Sequence, residues 1–136
     1  MSIGGLASAG TRGILARVEL IAKLQIKPGQ RIATVGDASG TPRISAADNP
    51  AAKSPEAADA VIAFVRTRAE IDQAGTAAVA AGRADKLAWI AYPKAGKLGT
   101  DLNRDTLREA LESRGVQPVR QVALDETWTA LRLRPA

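Results

Sequence analysis

The chain has 136 residues, a formal net charge of +5, and neither cysteine nor histidine. That length predicts one ordinary domain burying about two thirds of its unfolded surface, and the inventory excludes disulfides, thiolate metal sites, cysteine nucleophiles, histidine-ligated zinc and the serine-histidine triad. Asp, Glu, Lys and Tyr remain as the side chains for any proton transfer.

No apolar run approaches the roughly 18 residues that span a bilayer, and the N-terminus carries no leader pattern, so the sequence predicts a cytoplasmic protein with no membrane partner. Residues 1–53 hold seven basic and three acidic residues, which accounts for most of the positive charge. The excess is scattered, and one Phe, one Tyr and two Trp provide no base-stacking platform. Nucleic acid is therefore disfavoured as a partner.

Residues 1–10 are rich in Gly, Ala and Ser without a period and read as a flexible tail; residues 11–136 form the domain. Over 11–24, Ile14, Leu15, Val18, Ile21 and Ala22 recur at helical spacing, with Arg12, Arg17, Glu19 and Lys23 largely on other faces. Pro28 and Gly29 turn this helix into a strand over 31–35. The strand runs into Gly36, Asp37, Ala38, Ser39, Gly40, Thr41 and Pro42. In nucleotide-binding α/β domains the first strand feeds a glycine-rich turn whose backbone donors approach a phosphate. Here only Gly36 and Gly40 stand in that turn, and Pro42 interrupts the helix that would follow. A polar connection is the preferred reading, with Asp37 still placed to hydrogen-bond a ligand.

Between residues 43 and 58, Asn49-Pro50 and Ser54-Pro55 mark turns, and Ile44 is the candidate for a short extra strand. A full strand-helix-strand unit does not fit, so this crossover is abbreviated. A strand follows over 58–65, then a helix over about 69–81, weakened at Gly75 by about 1 kcal/mol and stopped by Gly82. Residues 87–92 are a nearly unbroken apolar run, the mark of a central strand buried on both faces. Pro93 ends it, and the loop KAGKLG leads to a helix opening near Thr100 or Asp101 and closing at Gly115. Leu107, Ala110 and Leu111 supply its buried face, and Arg108 and Glu112 form a surface pair. Strands over 116–124 and 128–133, joined through Asp125, Glu126 and Thr127, predict a hairpin whose last strand is antiparallel to its neighbour and lies at the sheet edge.

The segments IKPGQRI (26–32), AVIAFVRTRAE (60–70), LAWIAYPK (87–94), TDLNRD (100–105) and DETWTALR (125–132) carry a resemblance. With the order of elements, they make the chain similar to a shortened S-adenosylmethionine-dependent methyltransferase fold, above all in its last three strands. At finer grain the chain resembles a family of small bacterial proteins of unknown function with this Rossmann-like shape. The resemblance spans residues 11–134 and implies a three-layer α/β domain with a mostly parallel sheet ending in an antiparallel hairpin. The chain departs from the methyltransferases in its reduced loop, GDASG, and in lacking an acidic residue at the end of a second strand to hold a ribose. No cofactor is expected.

The candidate site follows from the strand-loop-helix junction after the central strand, where α/β proteins place ligands. Lys94, Thr100, Asp101, Arg104 and Asp125 are assigned to it, with Asp37 and Trp128. A Lys and an Arg there can grip an anion beside a helix N-terminus. The structural alternative has Asp101 capping its own helix and Arg104 clamped to Asp125. Trp128 is either a stacking wall or packing, Trp89 is core, and Tyr92 with Lys94 is a conceivable proton-transfer pair. Nothing positions a substrate between those two, so no catalytic residue is named. The expected function is a non-catalytic module acting through binding or association, with a homodimer or another protein as partner. The alternative is an enzyme or sensor binding S-adenosylmethionine or a nucleotide.

Overall fold

The computed structural model describes residues 20–37, 40–42, 44 and 49–136. The expected tail and residues 11–19 of the expected first helix lie outside them; residues 20–23 are helical. Five strands form one sheet: β1 (Ile32–Val35), β2 (Ala60–Phe64), β3 (Leu87–Pro93), β4 (Val116–Ala123) and β5 (Trp128–Pro135), in the order β1-β2-β3-β5-β4. The pairs β1–β2 and β2–β3 are parallel, whereas β3–β5 and β4–β5 are antiparallel. The sheet is thus mixed: β1 to β4 share a direction and β5 opposes them.

β3 is the central strand, as its apolar run predicts. The terminal strand is not at the edge, however; it inserts between β3 and β4 and leaves β4 outermost. Burial explains the difference. Residues 128–131 are all buried, with Trp128 and Ala130 serving one face and Leu131 the other, whereas only Val116 is buried along β4. Pro93 does end β3, as its last residue. It pairs with Trp128 at the last rung, where its missing donor costs nothing, and the next amide, Lys94 N–H, donates to the Thr127 carbonyl at 2.7 Å.

Alternation along the strands divides the core. On one face, Val61, Ala63, Ala88, Ile90, Leu131 and Leu133 pack with Val79 of α2 (Gly75–Arg83) and with Leu107 and Leu111 of α3 (Arg104–Glu112). On the other, Ile62, Phe64, Trp89 and Trp128 meet Ile21, Leu24, Ile26 and Ile44. The buried Trp89 Nε1–H donates to the Leu24 carbonyl at 3.0 Å, so the central strand holds the N-terminal segment in place without leaving an unpaired polar group. The sheet thus carries α2 and α3 on one face and, among the described residues, the segment 20–26 with Ile44 on the other.

The predicted helix over 69–81 is two helices, α1 (Arg68–Ile71) and α2, separated by a turn at residues 72–74. The Asp72 carboxylate in that turn receives a two-pronged contact from Arg114 Nη2, both oxygens at 2.9 Å, which ties the break to the end of α3. Gly82 does not stop α2. A Cβ there would lie 3.0 Å from Leu133 Cβ and 3.2 Å from Val116 Cγ1, so this glycine lets the helix approach the sheet. In the crossover, Ile44 is buried but outside any strand; Ala51 instead bridges Ile32 in parallel, with Ile32 N–H donating to the Pro50 carbonyl at 3.0 Å.

Candidate functional site at the carboxyl edge of the sheet

After β1 the chain first visits the outer flank of that strand at Ala51 and then returns to form β2 on its inner flank. Such a reversal opens a crevice at the strand's carboxyl end, the place where open α/β sheets take ligands. Gly36 stands there with φ +74, and a Cβ would lie 2.4 Å from the Phe64 carbonyl oxygen and 2.8 Å from Ala74 Cβ. Only glycine closes the end of β1 this tightly onto β2.

Arg66 follows β2 and crosses the crevice. Its Nη1 donates to the Gly36 carbonyl and to Glu70 Oε1, both at 3.4 Å, and its guanidinium carbon lies 5.3 Å from the centroid of the Trp128 ring. Trp128 is 1% exposed, edge-on to Phe64 at 5.3 Å and 86°, and its indole Nε1 is buried without a partner. A cavity of about 260 Å3 remains above, lined by Gly40, Arg66, Leu98, Thr127 and Trp128. That is below the roughly 300–1,000 Å3 usual for small-molecule sites.

The polar residues expected to face a ligand mostly face backbone. Thr100 Oγ1 donates to the Arg66 carbonyl at 2.6 Å and accepts from Leu102 N–H at 3.1 Å. Asp101 Oδ1 accepts from Arg68 N–H at 3.0 Å, satisfying the first turn of α1 instead of capping α3. The cap of α3 is Asn103, whose Oδ1 accepts from the amides of Asp105 and Thr106 at 2.9 Å each while Thr106 Oγ1 accepts from Asn103 N–H at 3.0 Å. α3 accordingly begins at Arg104 rather than at Thr100 or Asp101. Asp125 Oδ1 accepts from Thr127 N–H and Trp128 N–H, both at 2.7 Å, and so shapes the hairpin; it is not clamped to Arg104.

Of the seven assigned residues, Trp128 alone lines the cavity. Thr100 and Asp101 brace the loop that carries Arg66, while exposed Asp37, half-buried Lys94, exposed Arg104 and Asp125 lie outside the lining. Tyr92 packs on the helix-bearing face; burial raises its pKa above the ordinary 10.0, and the Arg104 charge partly opposes that rise. Among the described residues no group of three carboxylates is placed to hold a metal ion. Sequence reasoning missed Arg66, the first charged residue after the apolar strand β2, as Lys94 is the first after β3. The arrangement can present a small aromatic-backed, cationic notch, and among the described residues that line it no nucleophile is paired with a base.

The fold and site define a mixed α/β protein with a narrow carboxyl-edge crevice. No protein-family model matches the chain, and no curated protein matches it.

Proposed function

We propose that the protein is a non-catalytic α/β module with an abbreviated methyltransferase-like fold, acting through binding or protein association. The observation that carries this reading is Arg66. Its side chain, only 29% exposed, lies in the crevice where a dinucleotide or adenosyl group would run and is bonded there to Gly36 and Glu70. An antiparallel β5 inserted between β3 and β4 supports the likeness to the methyltransferase carboxyl half. A second reading, an S-adenosylmethionine- or nucleotide-binding enzyme or sensor, draws support from the unpartnered Trp128 Nε1 beside the cavity, since a buried donor without an acceptor costs about 1–3 kcal/mol.

Thermal unfolding with S-adenosylmethionine, S-adenosylhomocysteine and a nucleotide panel separates the two. A ligand at about 100 times its dissociation constant adds about 2.7 kcal/mol to the folded state. No shift is expected; a saturable shift with the adenosyl compounds would displace the first reading in favour of the second.

A further inference from the structure

A different cavity, of about 140 Å3, lies between α3 and the outer strand β4. Arg104, Arg108 and Arg120 line it with Pro118, Val119 and Gln121. It shares no lining residue with the notch at Arg66 and Trp128. Arg104 and Arg108 stand four residues apart on α3, which places them one above the other on one face. Arg120 comes from β4, where the pairing with β5 slips between Pro118 and Arg120 and leaves Val119 over as an extra residue. Such a bulge bends an edge strand and re-aims the side chains beside it.

Three arginines line one small concavity and their like charges repel, and Arg120 also stands opposite Arg132 in the β4–β5 register. Among the described residues, the one carboxylate within ion-pair distance of the three is Glu112, 3.9 Å from Arg108, with both side chains more than half exposed. A pair that long and that exposed neutralises little. The Gln121 amide is already turned to Thr129 Oγ1 at 3.3 Å. The cavity therefore gathers three arginines against one weakly paired carboxylate.

We propose that this cavity binds a phosphate dianion, either free or as the phosphoryl group of a small phosphomonoester. Guanidinium forks match phosphate oxygens in paired hydrogen bonds, and three cations favour a dianion over a carboxylate. With a water's share of liquid volume near ~30 Å3, the space holds one phosphoryl group and excludes a nucleoside. Arg104 links the site to a second readout. It is the charge that lowers the Tyr92 pKa, so an anion seated on Arg104 weakens that lowering.

The test titrates the full chain with inorganic phosphate and with glycerol 2-phosphate, against chloride at equal ionic strength, by calorimetry and thermal unfolding. Expected are saturable binding, a loss of affinity of about tenfold or more in R104Q/R120Q, and a tyrosinate titration that moves upward in phosphate. Phosphate also stabilises proteins by exclusion from their surface, without saturation and without regard to these arginines. Stabilisation of that kind alone, equal in wild type and variant, overturns the proposal. If R104Q/R120Q fails to fold, R108Q takes its place, and unchanged phosphate affinity in R108Q is likewise contrary to the proposal. Tighter binding of the monoester assigns the site to the phosphoryl group of a larger molecule, and tighter binding of inorganic phosphate assigns it to the free ion.

Discussion

Replacing Arg66 with Ala removes three contacts at once, and their sizes follow from their geometry. The guanidinium over Trp128 at 5.3 Å, partly shielded from water, contributes about 0.5–1 kcal/mol. The ion pair with Glu70, 3.4 Å long and about a quarter exposed on each side, adds roughly 0.2–0.5 kcal/mol after solvent screening. The 3.4 Å bond to the Gly36 carbonyl is too long to add more than a few tenths of a kcal/mol, about 0.3. The loss is then about 1–1.8 kcal/mol. At about 2.1 cal/mol/K per residue of unfolding entropy, this chain changes by about 0.3 kcal/mol per degree, so the midpoint falls by about 3–6 °C. Glu70→Gln, which keeps Arg66 in place, costs under about 0.5 kcal/mol. Thermal and urea unfolding measure both. An R66A midpoint equal to wild type would show that Arg66 lies in the crevice without holding it, and the argument for a self-filled crevice would fail.

Gly36→Ala combines a left-handed backbone with a Cβ forced against the Phe64 carbonyl oxygen, and it lowers stability by about 3 kcal/mol in urea titration, far more than Gly40→Ala, whose Cβ meets nothing within 4 Å. Asn103→Ala costs about 1 kcal/mol and selectively speeds amide exchange in the first turn of α3, whereas Asp101→Ala spares α3 and speeds exchange at Arg68. The single tyrosine titrates above 10.0, and higher still in R104Q. Because its folded pKa is raised, Tyr92 contributes stability that is complete below the unfolded value and is lost as pH climbs from there through the folded value. Tyrosinate absorbance tests the first claim, and a Y92F stability profile that declines just as steeply across that alkaline window would contradict the second.

The strands were legible because their signals are local and strong. AVIAF and LAWIAY are apolar without interruption, and both are interior strands, paired in parallel with each other, although β3 meets β5 antiparallel on its other side. The hairpin was legible from Asp125 and Thr127 between two β-rich runs. The order of its strands was not, because alternation along 128–133 marks one face polar only while Thr129 is taken as exposed; in the fold Thr129 is 3% exposed and donates to the Val122 carbonyl. Helix starts were misplaced for a related reason. Thr100, Asp101 and Asn103 are all good capping residues, and only tertiary contact decides between them: Thr100 and Asp101 are drawn to the Arg66–Arg68 backbone, leaving Asn103 for α3. The Asn103–Thr106 spacing carried the correct signal, in a form weaker than the usual acidic partner. Arg66 was invisible as a site residue because its partners come from three separate stretches of chain.

Those same partnerships bear on what the edge can do. The loop after β3 is fastened through Thr100 and Asp101 to the loop after β2, and that loop is fastened through Arg66 to the end of β1. The β4–β5 turn is held by Asp125 and joined to β3 through Lys94 N–H and the Thr127 carbonyl. Enzymes that enclose a substrate draw closing loops from the weakly held parts of a fold, because closure requires segments that open at small cost. Here Thr100, Asp101 and Arg66 bond from one carboxyl-edge loop to the backbone of its neighbour, so moving the loop after β3 or the loop after β2 breaks hydrogen bonds in the next. An edge braced in this way suits a surface that keeps its shape while something docks on it, as the proposed binding role requires.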